Sequence, residues 1–212
     1  MKIASVLLLV MIASAASSQE LTWSESLNTA KSATFLSALE QEVLFELNKV
    51  RSDPSRYAEM YVRPVLDEFK GKLNVRQHVE TQEGPAAVQD CLTHLMRMKG
   101  MNALEPDQDL ARVAAGLTSA QSKTRQTGHT APNGKTFEQR MRKLKFRRSG
   151  ECISYGESSA RGIVLSLLID DGVPSRGHRN IVLDRNFTRA GVSAGTHRQY
   201  GEMCTIDFAS AQ

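Results

Sequence analysis

The chain has 212 residues, enough for one domain of ordinary size with its own core, and a second domain is not expected. No stretch beyond the first dozen residues stays apolar for the roughly twenty needed to span a bilayer, so a transmembrane helix is excluded from the expected organisation. A formal net charge of +4 is mild, and three cysteines are too few for a disulfide-built scaffold, so the core has to carry the fold.

Residues 1–18 read as a secretory signal peptide: the basic start Met1-Lys2, the apolar run Ile3 to Ile12, and the small residues Ala13 to Ser17 with an A-x-A site at Ala13 to Ala15. Export to an oxidising compartment follows. Residues 19–34, rich in Ser, Thr and Ala and holding Trp23, read as a flexible leader, and 35–212 as the single domain. From there Leu36, Leu39, Val43, Leu47 and Val50 share a helical face that ends near Ser52. Asp53-Pro54 reads as an N-cap with proline at the first helical position, opening a second helix through Tyr57 to Val62 that Pro64 cuts off.

Residues 67–83, charged and without periodicity, read as a surface connection. Pro85 opens a helix with Val88, Leu92, Leu95 and Met96 on one side, closed by Gly100. Asp107 or Asp109 starts another, with Leu110, Val113, Ala114, Leu117 and Ala120, and Gly128 suits a left-handed C-cap. Thr136 and Gln139 form a capping-box pattern ahead of Phe137, Met141 and Leu144. Residues 151–155 read as a strand, and Ser158 or Ser159 opens a helix to Ile169. The period then changes: Ala190, Val192 and Ala194 alternate, as do Tyr200, Cys204, Ile206 and Phe208, the pattern of half-buried strands. Helices first and strands late predict an α+β layer fold with helices covering a small antiparallel sheet.

Three polar residues directly follow glycine: His129, Glu151 and His178. Glycine permits sharp turns and close approach, so each side chain is expected on a loop at an element boundary. Neutral imidazoles ligate divalent metals, and Glu151 with Asp170 or Asp171 can serve as ligands, as orienters of the rings, or as a base toward a bound water. No local motif of the H-E-x-x-H kind joins these residues, and G-x-S-x-G is absent. Cys91 reads as an inert thiol inside an apolar helix, and Cys152 and Cys204, both in segments read as strands, are the preferred disulfide pair. His78 and His94 read as surface residues, and His197 as decoration of a strand connection. Between Arg140 and Arg148 six of nine residues are basic, a run read as a solvated edge with attraction for anionic lipid, glycan or nucleic acid as the rival reading. Asn186-Phe187-Thr188 is an N-glycosylation sequon.

The series Phe45-Glu46-Leu47-Asn48-Lys49-Val50-Arg51 with Asp53-Pro54, then Gly128-His129-Thr130, Gly150-Glu151-Cys152-Ile153 and Gly177-His178-Arg179-Asn180-Ile181, resembles the CAP superfamily of cysteine-rich secretory, antigen 5 and pathogenesis-related 1 proteins. The resemblance runs from about residue 40 to 209 and is nearest the disulfide-poor SCP-like extracellular branch. It implies a three-layer α-β-α sandwich, secretion, and a cleft of two histidines and two acids that in some members holds a divalent metal such as zinc. Carried over, His129 and His178 are the histidines and Glu151 the first acid. The second acid, usually a glutamate, falls to Asp170 or Asp171. Cys152 stands where the family has asparagine, and a tryptophan common before the second histidine is missing.

What the resemblance implies about function is a secreted protein with a binding or signalling role, its His/acid cleft open to a metal or a small ligand such as a lipid or sterol, with an extracellular protein partner the other option and no specific nucleic acid. The alternative is a metal-dependent, peptidase-like hydrolase with His129 and His178 as ligands and Glu151 as base.

Overall fold

The computed structural model describes residues 22–74 and 79–210; residues 1–18, expected to be a signal peptide, and His78 lie outside them. Helix α1 (Ala38–Ser52) begins in a full capping box, with the Ser37 hydroxyl accepting from the Glu40 amide and the Glu40 carboxylate accepting from the Ser37 amide. Asp53 then caps α2 (Pro54–Tyr57), accepting from the Arg56 amide at 3.0 Å. Pro64 does not end this segment. A π turn (Ala58–Val62) leads into α3 (Arg63–Leu66), and Pro64 falls in the first turn of α3, where a missing N–H is tolerated.

The stretch after α3, expected to be a surface connection, contains three two-residue antiparallel strands, β1 (Phe69–Lys70), β2 (Leu73–Asn74) and β3 (Val79–Glu80). Strands this short leave no period to read. Helix α4 (Pro85–Arg97) follows, with Met96 exposed rather than inside. Strand β4 (Glu105–Pro106) precedes α5 (Gln108–Gln121), capped by Asp107, whose side chain accepts from the Asp109 and Leu110 amides. The Thr136–Gln139 capping box opens α6 (Phe137–Met141), which stops before Leu144. Then come β5 (Ser149–Tyr155), α7 (Ala160–Ile169) from its Ser159 cap, α8 (Gly177–Val182), β6 (Arg189–His197) and β7 (Gly201–Ala209).

The main sheet has the order β4-β6-β7-β5 and is antiparallel except for the short parallel pair β4–β6. Its two faces serve different helices. Cys152, Val192, Ile206 and Phe208 join the large core with α1, α4 and α7, while Ile153 and Met203 pack with Leu117 of α5 on the other face. This is the three-layer α-β-α sandwich. Close approach of α5 is permitted by Gly191: a Cβ there would lie 2.0 Å from the Ala111 amide nitrogen. Arg51, fully buried, ends α1 by donating to the carbonyls of Asn102, Val182, Asp184 and Phe187, which ties that helix to the chain after α8. Burial lowers its pKa to about 10.

Residues 22–34 are not a loose leader. Trp23 Nε1 donates to the Tyr61 hydroxyl at 3.0 Å, Thr29 Oγ1 donates to the Leu104 carbonyl at 2.7 Å, and Ala30 is fully buried. The reason lies in α1: Asn48 is buried, and its amide needs acceptors that the Leu27 carbonyl and Thr29 hydroxyl supply.

Candidate functional site

Strand β5 is an edge of the main sheet, and both helical layers reach round it. From the α5 side comes the loop bearing His129; from the α7 side come the C-cap of α7 and the start of α8, with Asp170 and His178. Glu151 stands on β5 between them. His129 Nδ1 lies 2.9 Å from Glu151 Oε1, and His178 Nδ1 lies 2.7 Å from Asp170 Oδ1. The two rings face each other with centroids 6.4 Å apart. Exposure divides the four cleanly: the Glu151 and Asp170 side chains are 1% and 2% exposed, those of His129 and His178 50% and 25%. The acids are the back wall and the imidazoles the accessible surface. Neither Nε2 has a hydrogen-bond partner among the described residues.

Asp170 thus takes the place of the second acid. It adopts a left-handed conformation (φ 55°, ψ 44°) at the C-cap of α7, one that aspartate tolerates better than most residues, and this turns its carboxylate onto α8. There Oδ2 also accepts from the His178 amide at 2.9 Å. Asp171 points elsewhere, accepting from the Gln82 and Glu83 amides at 2.8 Å each. Arg176, left-handed too (φ 49°), is held there by Glu83, Asp90 and the Asp170 carbonyl. A strained residue pinned by so many bonds keeps the Asp170–His178 turn in one shape.

The other wall is fixed in a similar way. Gly128, with φ 86°, donates its amide to the Tyr155 hydroxyl at 2.9 Å, and that hydroxyl donates to Gln121 Oε1 at 2.9 Å. His197 is buried, with Nε2 3.0 Å from the Gln126 carbonyl, so it anchors the His129 loop rather than decorating a connection. Arg140 leaves the basic run and enters the cleft: its guanidinium donates to Glu151 Oε2 and, at 2.8 Å, to the His129 carbonyl. Sequence periodicity missed it because charge there reads as surface; the capping box of α6, placed close after His129, was the available signal.

Asp207, opposite Glu151 in the β5–β7 register, was also missed. It is fully buried, and neither of its oxygens has a donor among the described residues. Burial first, and then the adjacent Glu151 charge, raise its pKa well above the ordinary carboxylate range. Two acceptor-only carboxylates cannot lie together in a dry site, so Asp207 keeps its proton and directs it toward Glu151.

The expected Cys152–Cys204 bridge is not made, and Cys91, Cys152 and Cys204 are all buried free thiols. The register explains it: Cys152 faces Ile206 and Cys204 faces Ser154, a diagonal rather than a direct pair. Cys152 instead directs its thiol to the His178 carbonyl at 3.7 Å. Burial raises the pKa of all three, Cys91 to about 12, which leaves no reactive thiolate. His94 is exposed, as expected, and Asn186 is exposed with its side chain on Asp184. Behind Tyr155 opens a cavity of about 840 Å³ between the Ala58–Val62 π turn, α3, the β1–β2 hairpin, the start of α4 and α7, lined by Met60, Val65, Phe69, Leu165, Ile169 and Arg161 among others.

Among the described residues no group of three or more His, Cys, Asp and Glu side chains is arranged around a common point as a metal cage. The cleft offers two imidazoles with carboxylates behind them. That set fits an exchangeable ion completed by water or ligand, and not a closed structural zinc site.

Comparison with known proteins places the chain in a family. The profile of the cysteine-rich secretory protein family, CAP, matches residues 44–208. No curated protein matches the chain. Among solved structures, it is similar to an outer surface protein from Borrelia burgdorferi (22% identity over 53% of this chain and 80% of that one, TM-score 0.44). It is also similar to an extracellular SCP-domain protein from Bacillus anthracis (26%, 58% and 40%, TM-score 0.45) and to a cysteine-rich secretory protein from Staphylococcus aureus (17%, 60% and 39%, TM-score 0.38). The chain therefore spans about two fifths of the latter two proteins.

Proposed function

The chain belongs to the cysteine-rich secretory protein (CAP) family, and from that premise we propose an extracellular binding or signalling domain whose cleft takes one divalent ion, zinc or similar, between His129 and His178, without turnover of its own. The observation that carries this reading is the pairing of each Nδ1 with a buried acid, His129 with Glu151 and His178 with Asp170. A carboxylate on Nδ1 fixes the tautomer, orients the ring and makes the other nitrogen a better ligand. When bound, the ion would supply a Lewis-acidic attachment point for an anionic or carbonyl group of a ligand.

The hydrolase reading is less well supported. A general base has to reach the water it activates, yet Glu151 is buried with one oxygen on His129 and the other on Arg140. Two protein nitrogens are also one fewer than the three protein ligands that zinc hydrolases use. A titration with zinc tests the proposal: the unaltered chain should bind one ion, and His129→Ala and His178→Ala should each abolish binding at the same concentrations. Undiminished binding in both variants would overturn it.

A second reading, a lipid or sterol ligand, is favoured by the cavity of about 840 Å³, within the range of small-molecule sites and apolar over much of its wall. Filling it with Val65→Trp should abolish binding of cholesterol or palmitate and leave zinc binding intact. Loss of neither would remove this reading.

A further inference from the structure

The basic run 140–148 does not behave as one unit. Arg140 turns into the cleft onto Glu151, and Arg148 pairs with Asp184 at 3.1 Å. That leaves Arg142, Lys143, Lys145 and Arg147, all exposed and without an ion-pair partner among the described residues. Arginines elsewhere, such as Arg63, Arg112, Arg161, Arg176 and Arg179, each meet a carboxylate. Residues 135–148 carry seven bases against one acid, more positive charge than the whole chain's +4, so the remainder is net negative and the positive field concentrates here.

The apolar residues of the run are turned inward. Leu144 and Phe146 are half-buried against the small core formed by Leu110, Met141 and Ala209, so exposed base and half-buried apolar residue alternate from Lys143 to Arg147. The segment presents charge and no fully exposed large apolar side chain. Peripheral membrane binding usually needs a second, apolar signal beside a basic patch, and single-stranded nucleic acids need aromatic platforms. The exposed large apolar residues among those described, Phe35, Leu73, Met96 and Tyr200, all lie outside this segment. A linear polyanion asks only for a row of unpaired cations.

We propose that Arg142, Lys143, Lys145 and Arg147 form a binding site for a sulfated or carboxylated polysaccharide. Because Arg140 belongs to both segments, the site lies beside the His129/His178 cleft. The choice of a polysaccharide as the natural partner rests on the extracellular reading above; the test below does not depend on zinc or on export. Heparin is the probe, with the full chain lacking residues 1–18, measured by calorimetry across a salt series. Neutralising the four residues to Gln should weaken heparin binding by more than about 100-fold, since each cation near an anionic surface contributes measurably. Neutralising the exposed Lys70, Lys99, Lys123 and Arg198 instead, for the same change in net charge, should leave affinity within about threefold, as expected if these charges are screened from the contact rather than part of it. Should the fourfold variant melt early, Lys143→Gln/Lys145→Gln serves in its place, with an expected loss of about tenfold. The proposal is overturned if the unaltered chain fails to bind heparin, if both variant sets lose affinity equally, or if the four residues drive binding to phosphatidylserine vesicles and not to heparin.

Discussion

Asp170 holds His178 at two points, Oδ1 on the ring Nδ1 at 2.7 Å and Oδ2 on the backbone amide at 2.9 Å, from a left-handed position at the end of α7. A short acid thereby reaches the ring of His178, because the backbone turn supplies the reach that the side chain lacks. Asp170→Asn should lower zinc affinity by about 10- to 100-fold, the usual cost of losing a carboxylate behind a ligating imidazole. Asp171→Asn should leave it unchanged, since that residue caps the Gln82 and Glu83 amides outside the cleft. Parallel zinc titrations separate the two, and a larger effect at Asp171 would reverse the assignment.

Glu151 neutralises Arg140 in a site where both are buried. Glu151→Gln strands that guanidinium, and a loss of about 3–5 kcal/mol in urea unfolding is expected. Arg140→Met/Glu151→Gln should recover a large part of it. The same single variant bears on catalysis: peptide and ester hydrolysis by the unaltered chain should be absent with or without chelator, and chelator-sensitive turnover abolished by Glu151→Gln would establish the hydrolase instead.

Asp207 gives the fold a pH dependence of defined sign. Its native pKa is raised above the unfolded value of about 3.9, so the native state holds this proton more tightly and stability falls as pH climbs from about 4 toward the native pKa. Asp207→Asn removes that contribution. Its melting temperature should match that of the unaltered chain near pH 4 and exceed it increasingly toward neutrality, pH values set by that unfolded pKa of about 3.9. A gap independent of pH would mean that Asp207 is ionised.

Gly191 sits where α5 meets β6, and a methyl there would strike the Ala111 backbone rather than a movable side chain. Gly191→Ala should cost at least the upper end of the 1–3 kcal/mol typical of overpacking, about 3 kcal/mol or more, seen as a lowered melting temperature. A neutral effect would mean that the two elements can part.

Much of this was legible in the sequence for physical reasons. His129, Glu151 and His178 each follow a glycine, and the long helices announce themselves through caps and apolar spacing. Asp207 was not legible because Cys204, Ile206 and Phe208 alternate as on a strand with one wet face, whereas α5 covers the other face and buries the intervening Thr205 and Asp207 as well. Arg140 was hidden in a run of charge, and Asp170 could be told from Asp171 only once the turn after α7 was in view. The two-residue strands after α3 leave no pattern at all.

The central claim is that two imidazoles from opposite layers share one ion over the edge of β5. The most direct measurement is a crystal structure grown with zinc, read by anomalous scattering. A single peak about 2.0–2.1 Å from Nε2 of both His129 and His178 is predicted. A peak on one ring alone, or none between them at saturating zinc, would contradict it.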